Sequence, residues 1–585
     1  MVQRIVTVLG MLSVFILSPH AWPSENHESK DLRRELIENE MIVAVRTPTE
    51  QSWYQADLPL SVDLDSILYP HILFSRVTKK GEKIRVARVK INRTTSVSKA
   101  IDESTGRRDI VWAAPNYRYI GDPAETISDP MFQQQYHHHA MQTEAAWSIT
   151  TGSPDVVVAV LDGGVSIDHE DLRPNIWENP VETPGNGRDD DGNGFVDDHF
   201  GFDFSTDDPD PTPDPDPTVP KGKLQTDHGT HIAGLIAAVQ DNGRGGSGIA
   251  PNVKVMPIKV HGYRIPITSA SMAQGYAYAI DNGAKIITSS MRIDGFLEDQ
   301  VYTEAVQYAY DQGALIFNSA GNDTKENPDR IRFEQILIVA ATDSAPDSSD
   351  YIPKYSNFGR GIDLSAPGGP GLKENAISGI LSTLMTSNYG RFSGTSLSAP
   401  AAAAVAALIW SEHPFWTRDQ VAAQLIGTTD SLDQGNPDYL FKVGSGRVNA
   451  YRAVMETPRP PSIASLIELE HREFEDQPIP RSQYLRAYTQ SIWDGDAIAD
   501  LNNWELRHLG SDQQPNTRDD LVIRMRIARP YLIGANIVTF ILPSLPAGLY
   551  QFTARAEGLR DPFGTPLAGD GASPGTDYVQ TFWVK

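Results

Sequence analysis

The sequence predicts an α/β protein: a parallel sheet with helices on both faces, preceded by a small α/β region and followed by a β-sandwich-like domain. Three observations predict this. From Val156 onward, apolar runs of strand length alternate with helical stretches, and strands buried on both faces between helices form parallel sheets. A shorter, weaker α/β pattern lies before that region. After the Pro-rich stretch "METPRPPSIAS", strand-like runs are separated by Gly, Pro and Asp turns, as in small sandwiches.

Taken in order, the chain starts "MVQRIVTVLGMLSVFILSPHAWPS", where Arg4 precedes a short apolar run and then small and turn-forming residues. This is the pattern of an export signal, assigned to residues 1–24; the run is short against the roughly 20 residues of a membrane span, so no span is expected once it is removed. Residues 25–127 hold "MIVAVRT", "KIRVARVKI", a short helix in "TSVSKAIDEST" and "DIVWAAPNYRYIG". The central domain, 128–456, runs through "VVVAVL", "HIAGLIAAV", "VKVMPIKV", "SMAQGYAYAIDNGA", "KIITSSM", "VYTEAVQYAYDQG", "ALIFNSAGN" and "ILIVAATDS". It closes on the apolar helix "SAPAAAAVAALIWSEH", and ligands of such sheets sit beyond the carboxyl ends of the strands. A linker at 457–464 leads to 465–585, with "LVIRMRI", "NIVTFIL" and "LYQFTARA" as strands. The Pro- and Asp-rich segment 205–223 admits neither helix nor strand and is expected to be a solvated loop.

Composition narrows the function. The 585 residues are 40% hydrophobic and 21% charged, which fits several globular domains rather than disorder. A net charge of −25 argues against a nucleic-acid partner, which needs clustered Lys and Arg. With no cysteine there are no disulfides and no thiolate metal sites, so bracing outside the cell would come from packing or from hard cations held by oxygen.

Three residues carry chemistry as a set. Asp162 ends the strand "VVVAVL", His228 opens the helix in "TDHGTHIAGLIAA", and Ser396 stands at the mouth of "FSGTSLSAPAAAAVAALIW". Alone, each reads as a turn former, a structural histidine or a helix cap. Together they are what acyl transfer at neutral pH requires: a hydroxyl, a base that activates it, and a carboxylate that orients the base. Their order differs from that of α/β-hydrolases, and Gly394-Thr395-Ser396-Leu397-Ser398 lacks the second glycine of a lipase elbow.

In these blocks the chain resembles the subtilisin-like serine peptidases over residues 128–456, with "VVVAVLDGGVSIDHEDL", "DHGTHIAGLIAA" and "GTSLSAPAAAAVAAL" in the family's order. A fourth block, "NSAGND", matches the family's oxyanion segment and implies that Asn322 is the side-chain donor. The resemblance further implies a secreted serine endopeptidase acting on protein or peptide substrates, with the segment ending "WAAPNYRY" as the end of an inhibitory propeptide cut between residues 119 and 131. Two departures stand out. Gly163 replaces the usual Ser or Thr after the aspartate, and in "IITSSMRIDG", beside the bound peptide, Ser290 fits while Arg292 stands where glycine is common. Facing the cleft, Arg292 would narrow the pocket or favour acidic side chains; pointing away into solvent, it would do neither.

Calcium is the expected ion. In "RDDDGNGFVDD", Asp189, Asp191 and Asn193 take positions 1, 3 and 5 of an EF-hand-like loop, Gly194 the turn at 6, the Phe195 carbonyl position 7 and Asp197 position 9. Phe200 stands at the twelfth position instead of Glu, leaving Asp198 or water to finish the shell. The resemblance implies a second site at Asp171 and Asn242. The run His137 to His139 is expected at the surface, without a metal. Two rivals remain, a silent scaffold that keeps the fold and an esterase with the same triad. The four intact residues weigh against the first, and ester turnover alone does not separate the second.

Overall fold

The computed structural model describes residues 33–46, 58, 71–77, 83–91, 96–120, 127–214, 224–344, 350–371, 379–433, 435–471, 483–571 and 573–584. The expected export signal and residues 121–126 of the expected propeptide junction lie outside them. The chain divides into two compact units, Met1–Ala124 and Glu125–Lys585.

In the first unit, β1 (Arg33–Arg46), β2 (His71–Val77), β3 (Lys83–Lys90) and β4 (Ile110–Ile120) form an antiparallel sheet in the order β2-β3-β1-β4. Helix α1 (Val97–Ser104) is capped by Ser96, whose hydroxyl accepts from Lys99 N, and it buries Val97 and Ala100 with Met41, Val43 and Val89.

The second unit is built on a sheet in which β5 (Val157–Asp162) lies between β7 (Lys254–Lys259) and β8 (Ile286–Ser289). Outward from these run β6 (Phe202–Asp203) on one side, and β9 (Leu315–Ser319) and β10 (Ile336–Ser344) on the other, all parallel, with β11 (Asp350–Tyr351) antiparallel at the edge. β12 (Leu364–Pro367) adds to β10 in parallel. Short helices α2 (Tyr136–Met141) and α3 (Thr143–Trp147) precede β5. One face is covered by α4 (Leu224–Ala237) and by α7 (Thr395–Glu412), whose residues 397 to 410 are all buried. Its alanines let its backbone approach β8, β9 and β10 closely, which is why this helix is apolar on every side. The other face is covered by α5 (Ser269–Asp281) and α6 (Gln300–Asp311) around Tyr276, Tyr302 and Ile316. A hairpin of β13 (Ile380–Leu384) and β14 (Asn388–Phe392) leads into α7, and α8 (Arg418–Gly427) and α9 (Ala450–Met455) complete the layer.

The C-terminal region is a sandwich of two four-stranded antiparallel sheets, as expected. One holds β15 (Ile463–His471), β16 (Gln483–Thr489), β20 (Ile537–Leu542) and β19 (Arg526–Ile527). The other holds β18 (Leu521–Ile523), β17 (Trp504–His508), β21 (Gly548–Ala554) and β22 (Tyr578–Val584), and Trp493, Trp504, Phe540 and Phe552 fill the space between them. Among the described residues no helix is long and apolar enough to cross a membrane.

Two surface expectations change. His137 and His138 are buried, at 0% and 1% exposure, because α2 turns positions 137, 138 and 141 inward and leaves His139 outside. Burial pushes the His138 imidazole down to about 3 and that of His137 well below the ordinary value, so both are neutral. The described part of the Pro- and Asp-rich segment is also held: Pro211 and Pro213 are buried, Val165 N donates to Pro211 O, and Asp214 pairs with Lys259.

Candidate active site

Asp162 is the last residue of β5, and burial is balanced by two hydrogen bonds. Its Oδ1 accepts from Gly163 N at 2.7 Å and its Oδ2 lies 2.7 Å from His228 Nδ1. Burial alone would raise the carboxyl, but the imidazole beside it outweighs this and holds Asp162 below the ordinary carboxylate range. The same contact acts in reverse on His228: burial lowers its pKa most, but the Asp162 charge and hydrogen bond together outweigh it, and the net shift is upward. His228 lies in the first turns of α4, where a Cβ on the next residue, Gly229, would stand 2.3 Å from Gly164 O; only glycine lets the helix meet the 162–164 turn.

Ser396 is the second residue of α7, after Gly394 at φ +152°. Pro400 lies inside this helix and has no N–H to donate to the carbonyl four residues before it. That carbonyl belongs to Ser396, and it accepts instead from Ser290 Oγ at 2.8 Å. Ser290 follows β8, whose Ser289 is in parallel register with Leu161 of β5, so Ser396 is tied to the strand end beside Asp162. Among the described residues Ser396 Oγ forms no hydrogen bond to His228, a contact that often tightens only with substrate bound.

Asn322 is oriented by Thr395, a residue that sequence reasoning passed over. Its Oδ1 accepts from Thr395 N at 2.9 Å and from Thr395 Oγ1 at 2.8 Å, which commits the oxygen and leaves the amide N–H groups for the site. Thr395 is fully buried and adjoins Ser396; its place between Gly394 and Ser396 was the only signal. Below the same loop, buried Arg330, also unanticipated, donates to Ser319 O at 2.6 Å and pairs with Asp294. Arg292 is mostly exposed, and its guanidinium is fastened to Asp323 at 2.8 Å, one residue from Asn322. The pair lies at the surface, beside the segment that carries Asn322.

The acidic loop brings together a set of carboxylates that differs in part from the EF-hand-like reading. Oxygens of Glu182, Asp189 and Asp191 lie within 4.8 Å of one another, and Glu182 Oε2 is buried without a partner, so this donor set fits a hard cation. Asp197 is turned away, accepting from Asn186 N and Gly187 N, and Asn193 donates to Asp191 and Asp198. Phe195 anchors the loop through its ring, 4.8 Å from that of Phe202 and 5.4 Å from that of Tyr278. Glu182 was missed because it precedes the Asp-rich run. At the other expected site Asn242 meets Asp171 through Nδ2 at 2.6 Å while its oxygen accepts from Arg244 N. Asp171 Oδ2 is buried beside the Tyr389 hydroxyl, too far for a well-formed hydrogen bond, and burial pushes this carboxyl up to about 7, so a cation here would be favourable.

Comparison with known proteins gives the family of the chain. The family model described as the subtilase family matches residues 153–446. The chain is 32% identical over 331 residues to thermitase of Thermoactinomyces vulgaris, covering 56% of this chain and 99% of that one. It is 29% identical over 369 residues to the thermophilic serine proteinase of Bacillus sp. (strain AK1), covering 63% and 77%. It is 33% identical over 351 residues to the halolysin-like extracellular serine protease Nep of Natrialba magadii, covering 60% and 56%. With half of its length matched by the family model and nearly all of thermitase aligned to it, the chain belongs to the subtilase family and is a subtilisin-like serine protease.

Proposed function

We propose that the protein is a secreted serine endopeptidase that cuts peptide bonds through an acyl-enzyme, with Ser396, His228 and Asp162 as its triad and Asn322 as oxyanion donor. The observation that carries this reading is the 2.7 Å contact of Asp162 Oδ2 with His228 Nδ1, at the strand end to which Ser290 ties Ser396. Ser396 Oγ attacks the scissile carbonyl while His228 Nε2 takes its proton; Nδ1–H remains on Asp162, whose charge stabilises the imidazolium. The tetrahedral oxyanion accepts from Asn322 Nδ2 and from the Ser396 backbone N–H at the positive end of α7. His228 then protonates the leaving amine, and water, deprotonated by His228, releases the acyl group. An oxyanion side-chain donor of this kind is worth about 100- to 1000-fold in rate.

Residues 25–127 act as an intramolecular inhibitor that is removed on maturation, and export follows from the N-terminal signal; one relative in the comparison is itself named extracellular. Calcium fits Glu182, Asp189 and Asp191, and Asp171 beside Asn242, where it would supply positive charge that cross-links acidic loops and do no bond chemistry.

The test is to express residues 25–585 beside a Ser396→Ala variant and to follow precursor size and digestion of an unfolded protein in calcium buffer. Wild type is expected to shorten and to digest, and Ser396→Ala to stay whole and inert. A wild-type chain that does neither would falsify the reading.

A further inference from the structure

Gly163 leaves room beside the proposed catalytic carboxylate, and that room is filled. Asp162 stands in parallel register with Lys259, the last residue of β7, and Val260 N donates to Asp162 O at 2.9 Å, so the chain delivers His261 to the edge of the 162–163 turn. A Cβ built on Gly163 would lie 2.9 Å from His261 Cε1, 3.3 Å from Nε2 and 3.5 Å from Nδ1, so the ring itself faces that position. Its Nε2 is buried without a hydrogen-bond partner, so the ring meets the turn by packing and not through a hydrogen bond from that nitrogen.

The support beneath the ring is rigid. Lys259 is buried, and its Nζ lies 2.8 Å from Asp203 and 3.0 Å from Asp214, while Asp214 also accepts from Tyr263 N at 3.2 Å. Both sides of His261 in the chain are therefore pinned. In the turn it touches, Gly163 N–H holds Asp162 Oδ1 while Oδ2 faces His228. Glycine is the residue whose backbone most readily drifts, and drift at 163 would rotate the carboxylate.

We propose that His261 is a positioning residue: its imidazole, seated in the room left by Gly163, holds the Asp162–Gly163 turn and with it the carboxylate that orients His228. This rests on Asp162 and His228 being catalytic. It accounts for the glycine at 163, since a side chain there and an imidazole at 261 compete for one space.

The test compares His261→Ala, His261→Leu, Gly163→Ser and the double variant Gly163→Ser/His261→Ala in the full chain, on a chromogenic peptide anilide, with Ser396→Ala as blank and the thermal midpoint of each recorded. His261→Ala is expected to lower kcat about tenfold with KM within about twofold, the signature of lost orientation rather than lost binding. His261→Leu, which fills the room without ring nitrogens, keeps most of kcat. Gly163→Ser alone lowers kcat because the ring must move, whereas in the double variant the serine recovers about threefold or more over His261→Ala, a coupling that independent sites do not show. Unchanged kcat, a loss confined to KM, or simply additive losses would overturn the proposal. If His261→Ala does not fold, a Gly163→Ser variant with wild-type kcat overturns it equally. A wild type no better than the Ser396→Ala blank overturns the catalytic reading, and this one with it, and is distinguished by that blank.

Discussion

At the scale of single residues, the Asp162–His228 contact makes a pH prediction. A base works only when neutral, and the Asp162 charge holds the His228 pKa above its ordinary 6.5. Activity is therefore expected to fall as pH drops through a value above 6.5. Asp162→Asn removes the charge and leaves burial, which acts downward, so the acid limb of kcat/KM moves to lower pH while kcat drops by about 10^4-fold. A limb that stays in place would mean that another group titrates. The stability sign is opposite: with its folded pKa raised, protonated His228 stabilises the fold, an effect full below the unfolded pKa and lost as pH rises through the folded one. Asp162, held low, stabilises above its unfolded pKa and loses this as pH falls. These roles were legible in the sequence because each sits in a short block whose neighbours are part of the same turn or helix start. Thr395 was less legible: it gives Asn322 its orientation through two hydrogen bonds, but its partner is remote in the chain.

At the scale of elements, the sequence shows that α7 is apolar all round, and the packing shows why Pro400 is tolerated inside it. The carbonyl it frees is used by Ser290 to fasten the helix start to β8. The insertion between Asp162 and His228 works by the same division. Its Asp-rich run reads as a cation loop, yet the donor set closes only when Glu182 folds back onto Asp189 and Asp191. Removing calcium with a chelator is expected to lower the thermal midpoint and speed autolysis, because a ligand bound only by the folded state stabilises it by mass action. Glu182→Gln should shrink the calcium-dependent gain, whereas Asp197→Asn should leave most of it, since that carboxylate is committed to Asn186 N and Gly187 N. Equal losses from both would restore the EF-hand-like set. The buried histidines of α2 carry the same lesson: a run of three reads as surface, but a six-residue helix sends two of them inward.

At the scale of the whole molecule, the second compact unit includes the C-terminal sandwich. Ile492 and Ile533 are buried in the same apolar cluster as α7 and α8, and Gly534 N donates to Glu334 O at 2.7 Å. Asn536 Nδ2 reaches Asp363 Oδ1 at 3.0 Å, and the linker is pinned where Arg459 N meets Gly427 O. Burying an aliphatic side chain stabilises by about 1.5–3 kcal/mol, so a chain ending at residue 460 is expected to melt several degrees lower and to autolyse faster. An unchanged thermal midpoint would mark the sandwich as an independent attachment.

The sequence by itself determined the alternation of strands and helices, the four blocks that mark the peptidase site, and the presence of an acidic loop. These are local: period, turn chemistry and residue type act between near neighbours, and a single chain displays them. The packing of remote segments is what shows that His261 fills the space at Gly163, that Glu182 joins the acidic cluster, that Arg292 pairs with Asp323, and that the sandwich shares the central core. Those contacts join residues far apart in the chain, and which of many possible partners meet is set by how the sheet and helices pack.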